Sequence, residues 1–492
     1  MRIWNLESIK GKSDILITVA VLTLSAVLIL GLAGCGGSLT TLPDTPEIIE
    51  DIPPLDVEQI VNPDKDLFEG ETLTIAESLF GFFTEPIAQL YMVENPGVKV
   101  EVINNYSYLE RDGHFGNAIQ EVSAQLMAGA GPVLIGADLL DYLDPRSRPY
   151  LTDWFQVMNA DPDFSEEDWF MNVFHATALD GRLFAFPVSF SYEAVATNST
   201  IPGLTEVMAG YDGITMQELL ELHRDFPTDT PFNFEMQTHI NRLIPYYIKD
   251  FVDIETGNVD LNNERFIELI NYAQEIIETD RPDWGDIPTT RAGQTLISER
   301  YFFHFASPSN YCYNYFLNFE EDPLFTGLTP IIDSNGDLMI RTSSNSYILN
   351  ALANPVQQAL ALDFIKFMMD PANRIGVGHV YMQPTNRTLL QFAIENDISI
   401  QLEYDDYFFS NAQWPLAGTP EEAVDDVVAK MTAFGEMPMQ NRRSLPDQIA
   451  AVPDGVIAVA LQQFQDGLVS AEQTAANLQN QVELVLMEMG VG

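Results

Sequence analysis

The sequence predicts an α/β fold, and three observations carry that expectation. Short apolar strands alternate with helix-length segments from Thr72 onward, a spacing that requires parallel strands joined by crossover helices. The 492 residues are 46% hydrophobic and 11% aromatic, which suits two or three domains with large cores rather than a disordered acidic chain. Turn residues such as Asn95-Pro96-Gly97 punctuate the periodic segments where a helix has to stop.

The N-terminal region reads as an address rather than as fold. Arg2, Lys10 and Lys12 precede an apolar run from Ile15 to Leu30, the length of a signal-peptide core and short for a membrane span. Leu32-Ala33-Gly34-Cys35-Gly36-Gly37 follows, and resembles a bacterial lipobox. That resemblance implies a signal peptide over 1–34, cleavage before Cys35, and acyl chains (diacylglycerol, palmitate) on the new terminus. The alternative is an uncleaved anchor helix with an incidental cysteine. Both readings export the chain and tether it to a membrane, and two acyl chains hold firmly where one does not. Residues 35–70, rich in Pro, Asp and Glu with no sustained period, read as an extended acidic tether.

The body is expected to build strand by strand. Thr72–Ala76 is a short apolar strand. Glu85-Pro86 opens a helix carrying Ile87, Leu90 and Tyr91, because proline fits a first turn. Val98, Val100 and Val102 alternate with Lys99 and Glu101 as a half-buried strand. A helix from Ala118 to Met127 ends at Gly129, and Val133–Ile135 follows as a third strand. Later, Thr215 and Glu218 form a capping box, and Asn354-Pro355 opens a helix to Met369 with Leu360, Phe364, Phe367 and Met368 on one face. Val456–Phe464 and Ala471–Met489 read as terminal amphipathic helices.

Charge and motif searches exclude several functions. With 72 acidic against 23 basic residues, the formal charge of −49 repels phosphate backbones and anionic lipid. Nucleic acid is therefore not an expected partner, and membrane contact is expected only through the lipid anchor. Cys35 and Cys312 cannot make a disulfide framework or a cysteine-rich metal site. The six histidines show no metal-ligand spacing, so neither metal nor cofactor is expected. Gly11-Lys12-Ser13 lacks the upstream glycine of a phosphate-binding loop, and no nucleophile elbow occurs.

A series of segments, in order, resembles the family-1 extracellular solute-binding proteins of ABC importers, the maltose-binding-protein-like group. They are Glu94–Val100 (ENPGVKV), Ser123–Pro132 (SAQLMAGAGP), Leu151–Trp154 (LTDW) with Asp161–Phe164 (DPDF), Asp180–Val188 (DGRLFAFPV), Ala196–Asn198, Asn354–Met368 (NPVQQALALDFIKFM) and Gln383–Asn386 (QPTN). Val133 departs from the family, which commonly has Asp there, and 391–447 matches no family segment. The resemblance implies a two-lobed periplasmic-binding-protein-like fold with a hinge and a central ligand cleft. Lobe 1 is expected from 71–188 plus about 300–345, and lobe 2 from about 189–299 plus 346–492. It further implies a monomeric, lipid-anchored receptor on the extracytoplasmic face of the cell membrane. Such a receptor captures a small-molecule solute, carbohydrate first, by hinge closure and delivers it to ABC permease subunits.

Sugar sites stack aromatic faces on pyranose rings and bond hydroxyls with planar polar groups, so such residues near strand ends and loops are the candidates. Glu77 and Phe80 follow the first strand, at the carboxyl end where open α/β sheets bind ligands. Tyr192 and Glu193 follow the first crossover. Tyr311 and Tyr313 share one side of an extended aromatic segment, Trp284 and Trp414 sit in loops, and Tyr347 lies near a return crossover. Each of the aromatics reads equally as ordinary packing. A secreted, surface-anchored hydrolase such as a glycosidase is the second reading, since carboxylates are abundant enough to pair by chance.

Overall fold

Period-two alternation in β1 (Thr72–Glu77) turns Leu73 and Ile75 to one face of a sheet and Ala76 to the other. The computed structural model describes residues 55–77, 84–104, 116–198, 201–226, 247–279, 303–306, 325–342, 346–373, 382–395, 420–441, 445, 449 and 455–491. All belong to the unit Pro53–Gly492. Cys35, Phe80, Trp284, Tyr311, Tyr313 and Trp414 lie outside the described residues.

The first sheet grows as the alternation of strands and helices requires. Helix α1 (Val57–Val61) precedes β1, and α2 (Thr84–Glu94) leads to β2 (Lys99–Asn104). Helix α3 (Gly116–Met127) leads to β3 (Leu134–Gly136). Both β2 and β3 pair with β1 in parallel, as right-handed crossovers deliver them. Helices α4 (Trp154–Ala160) and α5 (Met171–Thr177) then bring the chain to β4 (Ala185–Pro187).

The chain next crosses to a second sheet. It contributes β5 (Ser189–Tyr192), β6 (Ala194–Asn198), α6 (Leu204–Met208), β7 (Ile214–Thr215) and α7 (Met216–Asp225). The expected capping box at Thr215 and Glu218 is present with both bonds. A hairpin of β8 (Val252–Asp253) and β9 (Asn258–Val259) precedes α8 (Glu264–Thr279). Strands β10 (Phe303–Ala306), β11 (Phe325–Ile332) and β12 (Leu338–Arg341) complete this pass.

The chain returns to the first sheet as β13 (Ser346–Leu349) and α9 (Pro355–Met369). It then crosses again as β14 (Gln383–Pro384), α10 (387–395), α11 (Pro420–Gly435), β15 (Met439–Asn441), α12 (Val456–Gln465) and α13 (Ala471–Glu488). The first sheet has the order β2-β1-β3-β13-β4. The second runs β10-β6-β11-β12-β5-β14, with β15 beside β12 and β7 beside β11.

This topology corrects the expected lobe boundaries. Segments 303–306 and 325–341, expected in lobe 1, pair in the second sheet, and 346–369, expected in lobe 2, belongs to the first. The reason is complementarity. Tyr347 and Leu349 match one face of the first sheet and Ile348 the other, so β13 fills the slot between β3 and β4. Helix α9 follows it and is buried nearly all round, including Gln358, Leu362 and Ile365, rather than along one stripe.

The expected tether is also shorter than 35–70. Asp56 caps α1 by accepting from the Gln59 amide, and Ile60, Val61 and Phe68 are buried in the core that α9 and α4 share. Lys65 pairs with Asp363 of α9 at 2.7 Å. Burying each such aliphatic side chain is worth about 1.5–3 kcal/mol, which outweighs the solvation of a loose acidic strand.

Three cores hold the structure. One spans both sheets, from Leu73 and Leu360 to Phe190 and Ile340. A second, of Val195, Ile331, Phe266, Leu478 and Val482, lies under the helices of the second sheet. The third backs the first sheet with Val122, Leu139, Tyr142 and Ile348.

Candidate functional site

At the carboxyl end of β1 the last residue, Glu77, is buried, and the Tyr347 hydroxyl donates to its Oε1 at 2.6 Å. The backbone explains the reach. Tyr347 lies opposite Gly136 in the β13–β3 register, and the β1–β3 register places Glu77 beside the same glycine. Glu77 and Tyr347 share the face of Leu73 and Leu349. With two strand spacings of about 4.8 Å to cross, the bond forms only because Gly136 puts no side chain between them.

Two further residues fix the pair. The Thr84 hydroxyl, at the start of α2, lies 2.8 Å from that of Tyr347. The Trp154 indole N–H donates to the Tyr347 carbonyl at 2.9 Å. Trp154 is itself locked: its amide donates to the Leu183 carbonyl, and Asp153 Oδ1 accepts from the amides of Phe155 and Leu183. Its ring meets Phe186 edge-on at 5.3 Å. The Leu151–Trp154 segment thus positions Tyr347 from behind.

Burial pushes the Glu77 carboxyl up to about 7, against the hydrogen bonds from Thr84 and Tyr347, with the charge of Asp138 adding to the rise. A group so poised can accept a hydroxyl proton when charged and donate one when neutral. The site is therefore a buried, switchable hydrogen-bonding station at a strand terminus.

Of the sequence candidates, the structure brings together Glu77 and Tyr347. Tyr192 is different: it has no exposed surface, its ring lies 5.0 Å from Phe434, and its hydroxyl is 3.7 Å from the Met431 sulfur. Phe190 and Tyr192 share a face of β5, and that face is core rather than cleft wall. Glu193 pairs with Arg341 across the sheet edge. Thr84, Gly136 and Trp154 escaped the sequence reading as site residues. Thr84 carried a signal, as a cap-type residue two positions before Pro86. Among the described residues, no group of three or more His, Cys, Asp and Glu could hold a metal, and no helix is long and apolar enough to cross a membrane.

The three passages between the sheets run side by side. Ser346 pairs with Pro187, and the Thr385 hydroxyl donates to the Pro187 carbonyl at 2.7 Å. The Thr385 amide donates to Val188, and Asn441 donates to the Thr342 hydroxyl at 3.0 Å. Two sheets linked by three stitched passages, with a polar station at a strand terminus, define the two-lobed, periplasmic-binding-protein-like α/β fold of the MalE type.

Particular solved structures share it. An extracellular solute-binding protein family 1 from Alicyclobacillus acidocaldarius matches with TM-score 0.51 at 14% identity, over 85% of this chain and 98% of that one. An ABC substrate-binding protein from Listeria monocytogenes, in complex with cycloalternan, matches with TM-score 0.50 at 12% identity, over 86% and 99%. Maltose-bound MalE3 of T. maritima matches with TM-score 0.50 at 14% identity, over 84% and 99%. No family model matches the sequence, and no curated protein matches it.

Proposed function

We propose that this chain is the solute-binding receptor of an ABC-type importer and captures a carbohydrate between its lobes. The observation that carries the reading is the buried Glu77–Tyr347 pair at the carboxyl end of the first sheet, where open α/β sheets take ligands. Support comes from the solved proteins of the same fold, which include complexes with cycloalternan and maltose. A solute touching both lobes has differential affinity for the closed form and shifts the population toward it. The closed form then docks on permease subunits, with Cys35 carrying the lipid anchor on the extracytoplasmic face of the membrane.

The test is thermal. Melting the purified body against a panel of oligosaccharides, sugar alcohols and peptides should raise Tm with a carbohydrate class by mass action. No shift with any member, together with turnover of a glycan, would overturn the receptor in favour of a hydrolase. For the anchor, Cys35→Ser should release the protein from membranes or leave it unprocessed; unchanged processing and localisation would remove the lipid.

A further inference from the structure

Away from Glu77 and Tyr347, the lobes meet along a seam crowded with carboxylates. On the first lobe the seam is the loop after β3. Its apolar residues Leu139, Leu140, Tyr142 and Tyr150 belong to the core behind the first sheet. The loop presents Arg146, whose Nε lies 3.0 Å from both carboxylate oxygens of Asp144. It also presents Arg148, whose Nη1 lies 3.3 Å from Asp180 Oδ2 and whose Nη2 donates to the Leu143 carbonyl. Asp180 sits at the apex of the Leu179–Arg182 turn with φ of 51°, a left-handed conformation that Asp tolerates better than most residues.

On the second lobe the seam is the β8–β9 hairpin, packed by Val252 and Val259 on the core that holds Leu478 and Val482 of α13. Asp253 makes the hairpin rigid: its Oδ1 accepts from the Glu255 amide at 2.9 Å and its Oδ2 from the Thr256 hydroxyl at 2.7 Å. The turn closes at Gly257, with φ of 73°. Glu255 is thereby held out toward the first lobe, where its side chain hydrogen-bonds Asp180.

Two carboxyl groups hydrogen-bond each other only when one keeps a proton. The charged groups facing Glu255 are Asp180 and Arg148 from the first lobe and Asp253 from its own hairpin, so one cation stands against three acids. The neighbouring Arg146 already serves Asp144 and feels Asp141 and Glu488, and is committed elsewhere.

We infer that Asp180 and Glu255 form a proton-gated latch between the lobes, with Arg148 as its counter-ion, so that mild acid holds the lobes together and loss of the shared proton lets them part. The inference rests on the proposed lobe closure and assigns a regulation to it. Burial, and then the charge of Asp180, raise the Glu255 carboxyl above its ordinary range. The joined state binds the proton more tightly than the parted state, so the contact weakens as pH rises through and above the carboxylate range.

The test needs no solute, so it stands apart from the identity of the ligand. Spin labels placed by unnatural amino acids at exposed Val93 and Leu468, one on each lobe, report lobe separation in the full chain. In the wild type the ratio of short to long distances should fall several-fold between about pH 5 and about pH 8. Glu255→Gln, which donates to Asp180 without a proton to lose, should keep the short distance at both values. Glu255→Ala should show the long distance at both. A wild-type distance that ignores pH, or a Glu255→Gln chain that retains the wild-type response, would overturn the latch.

Discussion

The Tyr347 hydroxyl reaches Glu77 Oε1 at 2.6 Å across Gly136, joining two strands that are not neighbours in the sheet. Removing it leaves a buried carboxyl with fewer donors. Tyr347→Phe should therefore cost about 1–3 kcal/mol of stability, read by urea unfolding, and should weaken the solute that the melting screen identifies. An unchanged unfolding midpoint and unchanged affinity would separate the pair from the site.

The same carboxyl makes stability depend on pH. Its folded value of about 7 lies above its ordinary value of 4.5, so the folded chain keeps a proton that the unfolded chain releases. Stability is unaffected below that ordinary value, falls as pH rises toward 7, and is flat above it. The loss is on the order of 3 kcal/mol. Glu77→Gln should remove that part of the slope in urea melts taken across this window, leaving the contributions of the other carboxylates.

Gly136 is the gap through which the pair forms. Gly136→Val should displace the Tyr347 ring, cost on the order of 1–3 kcal/mol as overpacking, and reproduce the binding loss of Tyr347→Phe. A combined Gly136→Val and Tyr347→Phe chain should lose little more affinity than either alone, since both act on one interaction.

Thr385→Val keeps the shape of the hinge residue and deletes its bond to Pro187. About 1 kcal/mol of stability should go, with amide hydrogen exchange rising around Val188 and Ser346 rather than in the outer helices. Uniform exchange across both lobes would assign the stitch no local role.

The N-terminal segment is tested by Ile60→Ala, which leaves a hole beside α9. The expected cost is about 2–5 kcal/mol, far above the effect of a change in a solvated linker. Trypsin should then cut near Lys65 sooner than in the wild type.

Local signals were legible in the sequence because they are written within a few residues. The caps at Thr215, Asn354 and Ser470 stand as backbone-to-side-chain bonds, and β1, α2 and β2 fall within a residue or two of the expected spans. Glu77 was legible for a related reason: a polar residue ending an apolar strand has few places to go. The choice of partner strand was not legible. Ser346–Leu349 follows β12 closely in sequence, yet its apolar residues fit both faces of the first sheet, a match that only three-dimensional assembly reveals. Ile60, Val61 and Phe68 are too few to show a period, so their burial could not be read ahead of α9. Tyr192 shows the converse, since position near a crossover says nothing about which face of β5 meets solvent.

Strand β13 lies between β3 and β4 although 158 residues separate Pro187 from Ser346 less one, the whole first pass through the second sheet. During synthesis, β1 to β3 can zip as soon as they emerge, but β4 has no neighbour to hold until Leu349 leaves the ribosome. Neither lobe is a foldable fragment. The first sheet must wait, half-edged, while most of the second is being made, and the arrival of β13 closes the sheet and delivers Tyr347 to Glu77 in one event. A chain exported before folding meets this delay outside the cytoplasm, where its heavy negative charge keeps waiting copies apart.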